Sequence, residues 1–236
     1  GEDLKRRWVA VVVLSLVLVF ALIPKLVVLP SVTRQIRAEL QQEFETTQVE
    51  VRLSAPWGWE LFFGYLPGLE INMREVMAEN LVLSQVDIQG EGIKFEPRTL
   101  WQEWSLDYQS AENLEGLVTV NEGDLNTFFW QEVDPNRNLQ LEIHPSGMSV
   151  IGKLALWNTE LDFTLHGLVE IWQQSNLRFV PQNLEVQATR VPPFLLEVFN
   201  ENYDFILALS VFPYPITISE VLMEEGQMLI KIGVLQ

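Results

Sequence analysis

The stretch Trp8–Leu29, WVAVVVLSLVLVFALIPKLVVL, constrains this chain more than any other part of it. Its 22 residues hold one charge (Lys25), one proline (Pro24) and one hydroxyl (Ser15). As a helix rising ~1.5 Å per residue it is about 33 Å long, enough to cross a hydrocarbon core of roughly 30 Å. Two outcomes stay open. Pro24 ends the helix at Ile23 and leaves the apolar core of a cleaved secretory signal, with Lys5, Arg6 and Arg7 as its basic front. Otherwise the proline is tolerated, as it is in many spanning helices, and the segment stays as a single-pass anchor. The small-x-small pattern nearest to a cleavage site, Val19-Phe20-Ala21, is a poor one, which favours the anchor. The basic triplet places residues 1–7 in the cytoplasm, 8–29 in the membrane and 30–236 outside, with Lys25, Arg34 and Arg37 diluting that bias.

What lies beyond the anchor is one ordinary domain or two small ones, enough to bury a core. With 15 Lys+Arg against 32 Asp+Glu the chain carries a net charge of -17, which repels nucleic acid and anionic surfaces on average. It has no cysteine, so disulfides, thiolate metal sites and a cysteine nucleophile are excluded. His144 and His166 fall at polar positions of alternating runs and read as solvent-facing strand residues, not metal ligands. No metal or cofactor is expected.

After Pro30 the segment SVTRQIRAELQQEFETT repeats apolar residues every four positions, Val32, Ile36, Leu40 and Phe44, which predicts a helix packing one stripe on the following domain. From Val49 the period becomes two. It breaks at SAPWGWELFFGYLPGL, where Trp57, Trp59, Phe62, Phe63 and Tyr65 crowd between turn residues. That knot is either core or an aromatic rim dipping into the lipid interface. Strands are expected at 70–77, 81–89, 92–96 and 114–120, with 98–113 as a connecting excursion. Asn121, with Asp124 three residues on, predicts the capped start of a short helix bearing Leu125, Phe128 and Phe129.

Residues 139–188 give the clearest β pattern, an antiparallel meander with one apolar and one polar face. A second short helix is expected to start at Pro192-Pro193 and close by Asn202, and strands at 205–209, 216–223 and 228–234 finish the chain. The fold class is therefore α+β: an elongated, curled, mainly antiparallel sheet or barrel-like domain with a few short helices, behind one N-terminal transmembrane helix. So few helices cannot cover so many one-sided strands, so the sheet curls on itself or pairs face to face. The interior is then either filled by side chains or open to an apolar ligand.

From about Val32 onward the order of features resembles the LmeA-like phospholipid-binding family of bacterial envelope proteins. The pieces that carry the resemblance are the amphipathic helix behind an apolar segment, GLEINMREVMAENLVLSQVDIQGEGIKFEP, LVTVNEGDLN, the 139–188 meander and the closing FPYPITISEVLMEEGQMLIKI. The resemblance implies a tubular lipid-binding-like β fold with a lipid cavity, working in envelope lipid transport or lipoglycan metabolism at a bacterial cytoplasmic membrane. The marked acidity and the Trp-rich 98–113 stretch depart from it.

Joined with the pattern, this predicts phospholipid acyl chains held against Leu139, Leu141, Ile143, Leu161, Phe163 and Leu165, with Phe194, Leu195, Val198 and Phe199 as a helical flap. Trp57, Trp59, Phe62, Phe63 and Tyr65 would meet the membrane interface. Buried methylenes stabilise such binding by roughly 0.8 kcal/mol each without any basic residue. No Gly-x-Ser-x-Gly elbow or set-apart carboxylate pair is present, so no catalytic residue and no enzyme is expected. The alternative is a membrane-tethered scaffold with a solid core, since apolar patches also mark protein partners.

Overall fold

The computed structural model describes residues 2–156, 159–187, 189–190, 192, 206–208 and 216–234. Apart from Pro192, the expected helix at 192–202, with Phe194, Leu195, Val198 and Phe199, lies outside the described residues, as does the Phe212–Pro215 corner.

Helix α1 (Glu2–Ile23) does not stop at the proline. It passes through a π-helical turn, Pro24–Val28, into α2 (Leu29–Glu43), so Arg6–Glu43 is one continuous 38-residue helix. Proline lacks the N–H for a regular helical bond, and its ring crowds the carbonyl four residues back. The wider turn absorbs this, with the Leu29 N–H donating to the Pro24 carbonyl five residues away. Described side chains up to Ile23 are exposed on every side of the helix. Beyond that point a single stripe is covered, with Val28, Val32 and Phe44 buried and Ile36 and Leu40 half-buried. This is the spacing-four stripe, packed as expected.

Among the described residues thirteen strands and two further α-helices follow: β1 (Gln48–Ser54), β2 (Tyr65–Ala78), β3 (Leu81–Glu96), α3 (Pro97–Glu103), β4 (Asp107–Ser110), β5 (Asn113–Asn121), α4 (Glu122–Glu132), β6 (Leu139–His144), β7 (Gly147–Leu156), β8 (Thr159–Trp172), β9 (Asn176–Val186), β10 (Thr189–Arg190), β11 (Ile206–Ala208), β12 (Ile216–Glu224) and β13 (Gln227–Val234). They form two sheets. One runs β1-β2-β3-β5-β13-β12 with β4 on β3, and the other runs β10-β9-β8-β7-β6 with β11 on β9; the pairings are antiparallel. The architecture is mainly antiparallel β with a curled sheet and few helices.

The expected strands at 70–77, 81–89 and 92–96 are parts of two longer ones. β2 starts at Tyr65, and β3 runs through Gly90 and Gly92 without a break. The inward positions are Ile71 and Met73, then Val76 and Ala78, in β2; in β3 they are Leu81 and Leu83, then Val86 and Ile88. Both strands slip parity at one place, where Glu75 takes φ 52°, an irregularity of the kind that bends a ribbon. The 98–113 excursion contains α3 and β4. One core joins the sheets, with Met73, Val118 and Ile230 of the first in the same cluster as Leu141, Ile143 and Leu165 of the second. A smaller core at the foot packs Val28 and Val32 against Leu61, Leu66, Ile93, Phe95 and Leu100.

Helix α4 closes the free edge of β6. Glu122, Asn126 and Trp130 stand one turn apart on α4, and they meet alternate β6 residues. The Ile143 N–H donates to Glu122 Oε2 (2.8 Å), the Asn126 amide exchanges two bonds with the Leu141 backbone (2.8 Å each), and Trp130 Nε1 donates to the Leu139 carbonyl (2.7 Å). The fit is geometric: four helical residues rise ~6 Å, and two strand residues advance about 6.6 Å. An exposed strand edge is thereby satisfied by side chains. Asn121 does open α4, but its side chain makes no capping bond, and Asp124 Oδ2 instead accepts from the Ser84 hydroxyl (3.2 Å). The predicted box does not form because a hydroxyl on the neighbouring β3 takes its place.

Candidate lipid-binding cleft

Where α2 crosses the inner face of the first sheet, the two do not close fully. A cleft of about 250 Å³ remains between them. Helix α2 contributes Ile36, Leu40 and Phe44, and β2 contributes Leu66, Leu69, Ile71 and Met73. Ile88 and Ile93 of β3 continue the wall, and Gly116 of β5 and Ile232 of β13 complete it. At its rim stand Leu106, Tyr108 and Leu114, with Glu39 and Glu115 as its exposed carboxylates. Gly116 lets Ile232 pack directly over β5, since a Cβ there would lie 2.7 Å from Ile232 Cγ1. A glycine inside a strand pattern marks such close approach.

Two larger hollows, of about 440 and 470 Å³, involve the outer face of the same sheet. Arg52 lies among Glu50 and Glu70 in the first, and Asn72 donates to Asp87 beside them. An exposed, charged surface suits solvent and not a hydrocarbon tail.

The residues expected to line a cavity on the meander sit elsewhere. Leu141 (1% exposed), Ile143 (0%), Phe163 (7%) and Leu165 (2%) are packed into the common core, and Leu139 and Leu161 are half-buried. None of the six lines the α2 cleft, although Leu139, Leu141, Ile143, Phe163 and Leu165 belong to the same apolar cluster as its Phe44, Ile71, Met73 and Ile232. His144 lies 3.4 Å from Glu142 and 3.5 Å from Glu225, and His166 Nδ1 is 2.8 Å from the Ser149 hydroxyl, so both histidines are half-buried and engaged.

The aromatic knot folds as a 3-10 turn, Trp59–Phe63, pressed on the long helix. Trp59 Nε1 donates to the Ala21 carbonyl (3.1 Å), and its ring lies 5.6 Å from Phe20. The row continues through Phe62 (5.1 Å) to Trp101 of α3 (4.3 Å, stacked). Gly58 makes the contact possible: its φ is +77°, and a Cβ there would stand 2.6 Å from the Lys25 nitrogen. Trp57 (74% exposed), Phe63 (82%) and Trp101 (55%) face outward, while Tyr65 is half-buried at the start of β2.

The family model for LmeA-like phospholipid-binding proteins matches residues 26–232. The chain belongs to this family. The match begins inside the π-helical turn, so the LmeA-like region includes α2, both sheets, the cleft and the meander. No curated protein matches the chain, and no solved structure does. The N-terminal apolar helix is compatible with single-pass membrane anchoring or with a signal sequence. Sequence reasoning placed the tails on the meander and read α2 as plain packing. The cleft lies under α2 itself, with Trp101 added to the aromatic row.

Proposed function

We propose that this chain is a membrane-anchored, extracytoplasmic, non-catalytic lipid-binding protein that holds an acyl chain of a phospholipid between α2 and the inner face of the first sheet. Its work would lie in envelope lipid transport or lipoglycan metabolism. The observation that carries this is the cleft of about 250 Å³, walled by aliphatic side chains and open at a rim bearing Glu39 and Glu115. Ligand pockets run from roughly 300 to 1,000 Å³, so the cleft suits part of one tail better than a whole diacyl lipid. A longer tail would continue by displacing core side chains, and the meander set Leu139, Leu141, Ile143, Leu161, Phe163 and Leu165 is the stretch it would part. The rim carboxylates favour zwitterionic over anionic headgroups.

Mass spectrometry of an organic extract from detergent-free residues 26–236 tests this. Phospholipid should co-purify at a defined stoichiometry, and Leu40→Asp, which sets a carboxylate on the half-buried helical wall, should remove it while leaving the circular dichroism unchanged. An extract free of lipid from a folded wild-type sample would favour the scaffold alternative.

A further inference from the structure

The position at which the domain grips its own apolar helix has a consequence for depth. If Trp8, next to the basic triplet, sits at one hydrocarbon boundary, Ala21 lies thirteen residues or about 20 Å inward, and a bilayer core is roughly 30 Å thick. Trp59 holds the helix at Ala21 through its indole N–H, and Gly58 packs on Pro24 and Lys25. The far boundary falls near Val28, one to two turns beyond that grip. On the uncovered side the helix stays apolar and exposed to that level, with Leu26 at 68% and Val27 at 52%. The turn that grips it also turns its carboxylate inward: Glu60 Oε1 accepts from the Trp57 N–H (3.3 Å), and Oε2 is buried. Trp57 and Phe63 are left facing out.

We propose that the foot of the domain, the 57–63 turn together with Trp101, is sunk in the membrane that the helix crosses, with Trp57, Phe63 and Trp101 at or below the level of the lipid phosphates. The occupant of this aromatic surface is the lipid of that same membrane, because the surface is continuous with the spanning helix through the Phe20, Trp59, Phe62 and Trp101 row. Keeping the foot in water would leave the apolar helix about 10 Å short of the core thickness, and the cost of thinning the bilayer grows with each ångström of mismatch. Immersion removes the mismatch and puts aromatic rings where such rings are favoured. The cleft then begins at Ile36, eight residues or roughly 12 Å beyond Val28, just outside the headgroups of the anchoring leaflet. The proposal rests on the helix crossing a membrane and not on the cleft holding a lipid.

The chain has no cysteine, so single nitroxide labels can be placed without removing native thiols. Full-length Trp57→Cys, Phe63→Cys and Trp101→Cys, with Glu225→Cys as an aqueous reference on an exposed turn, would be labelled and set in phosphatidylcholine nanodiscs. Power saturation with oxygen and with a soluble nickel chelate reads depth. Labels at 57, 63 and 101 should be several-fold less accessible to nickel than the label at 225 and more accessible to oxygen. Nickel accessibility at 57 and 63 equal to that at 225 would overturn the proposal, whatever the lipid content of the cleft.

Discussion

Varying the length of a single acyl tail probes the cleft without altering the protein. At about 30 Å³ for a water-sized group, and taking a methylene as similar in size, a space of this volume holds roughly eight methylenes. Each buried methylene is worth ~0.8 kcal/mol, close to a fourfold change in Kd, so a filled cleft contributes about 6 kcal/mol as an upper bound. Titration calorimetry of residues 26–236 with lysophosphatidylcholines of increasing tail length, each below its micelle concentration, should show Kd falling about fourfold per methylene over the short tails. The gain should then level off near eight buried carbons. Affinity independent of tail length would remove the tail from the cleft. A gain continuing unbroken to sixteen carbons would refute the volume argument and point to tails that part the core on the meander side.

Three further perturbations address other parts of the structure. Glu39→Gln with Glu115→Gln should strengthen binding of an anionic lysolipid by a few-fold at low salt and leave a zwitterionic one unchanged, since exposed charges interact at roughly 1 kcal/mol or less and are screened within about 10 Å; equal effects on both lipids would show that the rim does not select headgroups. Asn126→Leu strands the buried Leu141 N–H and carbonyl, so at about 1–3 kcal/mol per orphaned group it should lower thermal stability by several degrees, read by calorimetry. An unchanged midpoint would show that β6 does not need its side-chain edge. Gly58→Ala places a Cβ against the Lys25 backbone at a positive φ, which should free the 57–63 turn from the helix and speed its proteolysis in nanodiscs, with the sheet core unaffected.

Much of the fold was legible because each period was clean. Spacing four gave α2 and its buried stripe, and alternation gave the meander from Leu139 onward, with a turn expected over Pro145-Ser146-Gly147 that is one residue tighter, since Gly147 pairs with His144. Breaks were harder to read. Pro24 ends most helices, yet here one wide turn lets the helix pass, because a single residue's clash is local and the apolar stretch continues on both sides of it. Gly90 and Gly92 looked like strand ends, but Gly90 sits under Ile93 and Leu114 side chains, and Gly92 takes a positive φ beside Glu112, so one long strand carries both.

The cleft was not legible for a different reason. Periodicity says which side of an element faces inward, and by that test the meander's Leu141 and Ile143 and the first sheet's Ile71 and Ile232 are alike. Whether inward side chains meet depends on the distance between the layers, which is set by what stands opposite. On the meander the opposing surface is dense at these two residues: Leu141 and Ile143 are held at their backbones by α4, and both side chains are buried. Under α2 the helix is instead held near its start by the foot, where Val28 and Val32 pack on Leu61 and Leu66, and again near its end, where the Met77 N–H donates to the Phe44 carbonyl (3.1 Å). Ile36 and Leu40, between these two attachments, are half-buried and line the opening together with residues of β2, β3, β5 and β13. A helix attached at both ends and only half-covered between them leaves the opening.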